Sequence, residues 1–233
     1  MVRMGCARHR ALVGTHGSGF GSIIPQASAQ TGRNHTSEVI VMSIHQAAMP
    51  LCNAGFSQLL IIDAQESLAA VMPKDELAVT VANINRLVRA AGILGVPIIS
   101  TEQYPKGLGR TIDAVREHLP DSAAPTEKTC FSCCTAAGFE RALTAQPERK
   151  QVVLMGMEAH ICIVQTASGL QRWGYQVFVV ADAICSRHPA NRHNALERMR
   201  HSGIHVTNTE SVAFEWLGDS ANPHFREVSR MFK

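Results

Sequence analysis

Apolar and polar positions fall into short, regularly recurring blocks from Phe56 onward. Leu59 to Ile62 is a continuous apolar run ending at Asp63, the pattern of a strand buried on both faces of a parallel sheet. Leu77, Val81, Ile84, Val88 and Ala91 then recur at i, i+4, i+7, i+11 and i+14, which predicts an amphipathic helix. Val96 to Ile99 is the next expected strand. Thr101 to Gly109, TEQYPKGLG, reads as a loop because of its proline and glycines. Thr111 to His118 is expected as a short helix, and Phe139 with Leu143 marks another ending near Pro147. Val152 to Met155 is a second doubly buried strand, broken by Gly156. Beyond it Cys162 opens a helical stripe of Ile163, Ala167, Leu170 and Gly174, in which Ala167, Ser168 and Gly169 would let the helix lie close to a sheet. Val177 to Val180, ending at Asp182, and Ile204 to Thr207 are the last strands. Pro189 suits a first helical residue, with Leu196 and Met199 inward and Gly203 as a stop. Ser211 to Leu217 and the spacing of Phe225, Val228 and Phe232 predict two closing helices. Strands alternating with helices predict an α/β fold: a three-layer, doubly wound, mostly parallel sheet of five to six strands with helices on both faces.

Residues 1–50 depart from this pattern. They hold Arg3, Arg8, Arg10 and Arg33, four histidines and Glu38 as their only acid, are rich in Gly, Ser and Thr, and show no period. A poorly ordered N-terminal extension is expected there, ahead of one domain at 51–233. Basic, acid-poor composition also suits an organelle transit peptide, and Met42 a later working start. The glycines at 14, 17, 19 and 21 lack the preceding strand and following helix that a phosphate loop requires.

Composition narrows the partners. The chain is 45% hydrophobic and 18% charged, with a net charge of +3 and scattered basic residues, so neither nucleic acid nor an anionic membrane is implied. No apolar run is expected to reach the length of a membrane span. Seven cysteines at irregular spacing, with no secretory apolar region, point to free thiols in a reducing cytoplasm.

The expected topology brings three reactive residues to one edge of the sheet. Asp63 ends the first strand, Lys128 lies in a loop after the second, and Cys162 begins the helix after a central strand, in the crevice where open parallel sheets bind ligands. A helix amino terminus favours a thiolate. A carboxylate can take the thiol proton, and an ammonium can hold both groups and stabilise developing negative charge. Each residue also has a bland reading: a helix-capping Asp, a solvated Lys, a small buried Cys. Cys130 and Cys133 form a CxxC in TCFSCC, which elsewhere signals redox or zinc chemistry. No second pair has zinc spacing, so a loop whose Phe131 lines a pocket beside Lys128 is the preferred reading. Gln65, Gln103 and Tyr104 are candidate substrate contacts by position. Glu158 and His160 border Cys162 as turn residues, and Asp182 is expected to order the turn after its strand.

Asp63 in LLIIDAQ, Lys128 in EKTCFS, and GMEAHICIVQTA followed by GYQVFVVADAICSR together resemble the isochorismatase-like cysteine hydrolases over roughly residues 56–210. The resemblance implies an Asp63–Lys128–Cys162 triad, a cis peptide at Met157–Glu158, and an oxyanion hole from the backbone N–H groups of Glu158 and Cys162. TEQYPKGLGRT and the C-terminal helices resemble an uncharacterised, metal-free subgroup. The Asp-x-His metal motif of the superfamily's nicotinamidases is replaced by STEQYPKG, so no metal and no cofactor is expected. Keeping Cys162 favours attack on an acyl or carbamoyl carbon. The expected function is a metal-independent hydrolase of a small amide, carbamoyl or related carbonyl substrate, acting through a thioester. The alternatives are a catalytically silent binding or scaffold member and a thiol oxidoreductase using Cys130 and Cys133. A homo-oligomer is expected, because Trp216 and the Phe225–Phe232 helix look apolar for a surface.

Overall fold

The computed structural model describes residues 49–233, so the N-terminal extension expected at residues 1–50 lies, but for its last two residues, outside the described part of the chain. β1 (Ser57–Ile62) is buried throughout, and its alternation divides the core: Leu59 and Ile61 face one side of the sheet, Leu60 and Ile62 the other. α1 (Glu66–Ala69) follows, then α2 (Lys74–Leu94), which buries the predicted Ile84, Val88 and Ala91 together with Leu87. At 21 residues α2 is long and apolar enough to cross a membrane by length and composition, beyond what the stripe from Leu77 to Ala91 predicts. Its inner face lies in the core, as in an amphipathic helix on a sheet.

β2 (Ile98–Gln103) corrects the sequence reading, because Thr101, Glu102 and Gln103 are strand residues rather than loop. Polar side chains are accepted in this buried strand because each has a partner. Ser100 Oγ donates to Ala123 O at 2.6 Å, and Glu102 Oε1 accepts from Thr111 N at 2.7 Å and Thr111 Oγ1 at 2.8 Å. α3 (Pro105–Leu108) and α4 (Asp113–Arg116) lead to β3 (Thr126–Lys128), so Lys128 closes an edge strand instead of sitting in a loop. α5 (Phe139–Leu143) precedes β4 (Gln151–Met157), which continues through Gly156. A π-helical turn, Ala159–Ile163, feeds α6 (Val164–Arg172). Ile163, Ala167 and Leu170 are buried as predicted, whereas Gly174 lies beyond the helix with φ 81°.

β5 (Gln176–Cys185) runs past Asp182, whose carboxylate accepts from Thr209 N at 2.9 Å and Thr209 Oγ1 at 2.8 Å. Asp182 therefore orders the start of a distant helix, not the turn after its own strand. α7 (Pro189–His201), β6 (His205–Thr207), α8 (Thr209–Leu217) and α9 (Phe225–Ser229) complete the chain. Trp216 is buried and its Nε1 donates to Ser57 Oγ at 3.0 Å, while Phe225 and Phe232 pack on the core. Their apolar character serves this domain's own packing, which removes the stated reason for expecting an interface there.

The six strands are parallel in the order β3-β2-β1-β4-β5-β6. α2, α4, α8 and α9 cover one face, and α5, α6 and α7 the other. The strand order reverses between β1 and β4, so a crevice opens beyond their carboxyl ends. Gly156 makes that junction close. It pairs with Ile62, has φ 120°, and a Cβ there would run into the Ile62 carbonyl oxygen. Gly156→Ala is expected to destabilise the fold by about 3 kcal/mol or more, because backbone must move on both strands. A urea denaturation midpoint equal to that of the unmodified protein would contradict this.

Candidate active site

Three strand ends converge at this switch point. Asp63 follows β1 with φ 51°, a left-handed conformation that a non-glycine residue keeps only when its surroundings hold it. Its N–H donates to Thr101 O at 3.2 Å, and both carboxylate oxygens are engaged. Oδ2 accepts from Lys128 Nζ at 2.6 Å, and Oδ1 from Thr101 Oγ1 at 2.7 Å. The pairing of β2 with β3 sets Gln103 beside Lys128, where Gln103 Oε1 accepts from Nζ at 2.7 Å. Nζ also faces Cys130 O at 3.3 Å, Phe131 O at 3.4 Å and Cys162 Sγ at 3.9 Å. The side chains of Asp63 and Lys128 are 0% exposed and Cys162 is 5% exposed, so the set is closed to bulk water.

The π-helical turn carries Cys162. Ile161 N and Ile163 N donate to Glu158 O at 3.1 and 3.3 Å, flanking the Cys162 amide, and the Met157–Glu158 peptide is cis. The turn is tied to the exit of β5. Glu158 Oε2 accepts from Arg187 N at 2.9 Å and Arg187 Nε at 3.2 Å, and Oε1 pairs with Arg187 Nη2 at 3.0 Å. His160 Nδ1 lies 3.0 Å from Ser186 Oγ, and Asn191 Nδ2 lies 3.3 Å from Nε2. An amide nitrogen only donates, so Nε2 accepts and the ring proton sits on Nδ1. Burial lowers the His160 pKa, in keeping with a neutral ring. Glu158 and His160 thus hold the turn, as their sequence position suggested.

Protonation differs from the sequence expectation. Burial first, and the Asp63 carboxylate next, push the Cys162 thiol far up, and the Lys128 ammonium does not offset them. The thiol therefore keeps its proton at neutral pH, beside a carboxylate that can accept it. A helix amino terminus adds only a partial charge, too little against desolvation and a like charge. For Lys128, burial is the largest single influence and pulls the pKa down, but the charge and hydrogen bond of Asp63 together with the neighbouring Cys133 and Cys162 outweigh it, and the net direction is up.

Two expected substrate contacts have other duties. Gln65 is wholly buried: its Nε2 donates to Gln103 O at 2.9 Å and Gly109 O at 2.7 Å, and its Oε1 accepts from Gln103 N at 2.6 Å. It staples the end of β2 to the following loop. Gln103 Nε2 donates to Thr129 O at 2.7 Å while Oε1 holds Lys128, so Gln103 positions the ammonium. Tyr104 is 54% exposed and, with Lys106, Glu127, Cys130 and Ala136, lines a cleft of about 570 Å³ that reaches Lys128. Phe131 has its ring largely in solvent and its carbonyl toward Lys128. Thr101 went unnoticed in the sequence. Its only signal is strand register, because it pairs with Ile62 one residue before Asp63.

The two cysteines of the CxxC differ in exposure. Cys133 is 0% exposed and burial, the largest influence, pushes its thiol up to about 12. Cys130 is partly exposed, and both are free thiols. Gly169 lets this loop press onto α6, since a Cβ there would meet Cys134 Sγ and Ser132 Oγ, a closeness the sequence reading assigned to the sheet. Among the described residues no group of three or more His, Cys, Asp or Glu side chains is placed to hold a metal ion.

The buried thiols have a stability consequence. Cys52, Cys133, Cys162 and Cys185 all titrate above the usual thiol range, each chiefly through burial. A pKa raised by folding contributes stability fully present below the unfolded value, about 8.5 for a thiol, and lost as pH rises toward the folded value. The melting temperature is expected to fall steeply above about pH 8.5, each thiol costing about 1.4 kcal/mol per pH unit. Calorimetry across that range checks this, and a flat profile to about pH 10.5 would refute it.

The Isochorismatase domain family model matches residues 57–211. A secreted isochorismatase effector of Phytophthora sojae (strain P6497) is 36% identical over 179 residues, 76% of this chain and 84% of that protein. Isochorismatase domain-containing protein 2 of Bos taurus is 38% identical over 179 residues, 77% of this chain and 84% of that protein. Among solved structures, MAR1 ribonuclease from Caenorhabditis elegans superposes with a TM-score of 0.73 at 36% identity, over 78% of this chain and 92% of that one.

Proposed function

The chain belongs to the isochorismatase family of hydrolases, and from that membership we propose that it is a metal-independent cysteine hydrolase of small amide, carbamoyl or related carbonyl substrates. One observation carries the reading: a single buried ammonium, Lys128, lies 2.6 Å from Asp63 and 3.9 Å from Cys162. Asp63 accepts the Cys162 proton as Sγ attacks the carbonyl carbon, and the N–H groups of Glu158 and Cys162 hold the oxyanion. The tetrahedral intermediate collapses, the amine leaves with the proton from Asp63, and a thioester remains on Cys162. Asp63 then deprotonates water, which releases the acid and restores the thiol. Lys128 keeps the site's charge balanced throughout. Tyr104, which lines the cleft, is the substrate contact this reading retains; Phe131 does not line that cleft.

Burial of all three side chains supports a small substrate over an RNA strand, although the Caenorhabditis elegans neighbour bears the name ribonuclease. No resident metal or cofactor enters these steps, and in STEQYPKG the Thr101 and Gln103 side chains are already bonded to Asp63 and Lys128. A second reading follows the name of the Phytophthora relative: hydrolysis of isochorismate, a vinyl ether, which calls for an acid more than a nucleophile. A screen of small amides, carbamoyl compounds and isochorismate, with intact-mass detection of an acyl adduct on Cys162, tests the proposal. Isochorismate turnover that survives Cys162→Ala would replace it, and no turnover of any substrate would favour a silent binding member. The protein is further proposed to be cytoplasmic and homo-oligomeric, the latter supported by exposed Val79 and Phe214 on the face covered by α2 and α8. Light scattering at micromolar concentration should give at least twice the chain mass; a monomer mass would reject assembly.

A further inference from the structure

We propose that Thr101 and Cys133 are positioning residues of this site: a directed hydrogen-bond relay from Cys133 through Thr101 aims the Asp63 carboxylate at Cys162. The inference rests on the reading of Asp63 as the base for Cys162. Cys133 Sγ donates to Thr101 Oγ1 at 3.8 Å, and Thr101 Oγ1 donates to Asp63 Oδ1 at 2.7 Å. A hydroxyl has one proton, so accepting from Cys133 leaves it free to give that proton to Asp63. The Asp63 carboxylate only accepts, so the Thr101 proton goes to it and the Cys133 thiol is left as the donor to Thr101 Oγ1, which gives the relay one direction.

The anchors of the relay are rigid. Thr101 is a buried residue of β2, paired with Ile62 in the adjacent strand. Cys133 N donates to Thr166 Oγ1 at 3.0 Å, which fastens the relay to α6, the helix that continues from the Cys162 turn. Base, nucleophile and relay are thereby referred to one frame. Lys128 already holds Oδ2 at 2.6 Å, so the Thr101 hydroxyl is the second donor that fixes the plane of the carboxylate. With one oxygen pinned the group can still pivot; with both pinned it cannot. A threonine serving only to fill the strand would need no hydroxyl, and valine would have the same shape.

The test uses the full-length protein and two readouts. The first is the rate of Cys162 alkylation by iodoacetamide near neutral pH, read by peptide mapping and requiring no substrate. The second is kcat and KM on whichever amide the screen identifies. Thr101→Val is expected to slow Cys162 alkylation and lower kcat by about 10-fold or more, with KM nearly unchanged, because misplacing a reacting group acts on the chemical step. Thr101→Ser, which keeps the donor, is expected to recover most of both rates. Cys133→Val should slow alkylation by a few-fold and Cys133→Ser should not. Wild-type rates in Thr101→Val, or a Thr101→Ser variant as slow as Thr101→Val, would overturn the relay. Should Thr101→Val fail to fold, the Cys133 pair decides: a rate lost in Val and kept in Ser supports the relay, and equal rates refute it. The two proposals fail differently. An incorrect hydrolase reading leaves the alkylation differences in place without turnover. An incorrect relay leaves Thr101→Val unaffected while Asp63→Asn still slows alkylation.

Discussion

Asp63→Asn and Cys162→Ser are each expected to lower kcat/KM by at least about 10³-fold, and the double variant should lose no more than either alone, because the two residues act as a unit. The cause is the protonation state. Burial and the nearby carboxylate keep the Cys162 thiol protonated, so nucleophilic attack requires a base within hydrogen-bonding reach. The asparagine amide has nearly the same shape as the carboxylate and cannot accept the proton. Serine keeps the geometry, but its hydroxyl is far less acidic than a thiol, and a carboxylate is too weak a base for it. Steady-state kinetics, with circular dichroism to confirm folding and intact mass to detect the acyl adduct, provide the measurement. Cys162→Ser with more than about a tenth of the original activity would show that no thioester is needed.

Lys128→Met should lower turnover by at least about 10²-fold and also destabilise the protein by about 3–5 kcal/mol, the usual cost of removing one partner from a buried ion pair. Methionine has nearly the length of lysine, so the chief loss is charge and hydrogen bonding. The Asp63 carboxylate, fully buried and 2.6 Å from Nζ, would remain as an uncompensated charge. The pH dependence follows from the direction of the Lys128 shift. Burial alone would lower its pKa, but Asp63, Cys133 and Cys162 together reverse this and the folded value is raised. Its stabilising contribution is therefore fully present below the unfolded lysine value, about 10.4, and is lost as pH rises through the folded value. The stability difference between Lys128→Met and the unmodified protein should be constant from about pH 6 to 9 and narrow only at strongly alkaline pH. Urea denaturation of the two proteins across this range cancels the shared thiol effect. A variant as stable as its parent at pH 7, or a difference that closes below about pH 9, would show that the pair does not hold the site together.

Some of this protein could be read directly from the chain. Residues 59–62 of β1 and 152–155 of β4 are continuous apolar runs because strands covered on both faces bury every side chain, and α2 repeats its apolar residues because one helix face meets the sheet. The alternation of these elements implies the parallel, doubly wound sheet, and Asp63, Lys128 and Cys162 stand out as reactive types within the family's motifs. β2 was not readable to its end. Ser100 through Gln103 are polar, and their partners at Ala123, Asp63, Thr111 and Lys128 lie 9 to 38 residues away, so no local pattern announces that they are satisfied. β3 is three residues long, too short to show a period.

The division at the site is the same. Local order along the chain determines which residues stand at strand ends, because side-chain alternation and helix periodicity are short-range consequences of backbone geometry. Only the packed structure decides their state. Depth of burial and the register of β2 between β1 and β3 made the Cys162 thiol neutral, raised the Cys133 thiol, set Gln65 to staple the end of β2 and set Gln103 to hold Lys128. Desolvation and charge pairing depend on which distant segments exclude water together, and that is a property of the tertiary fold.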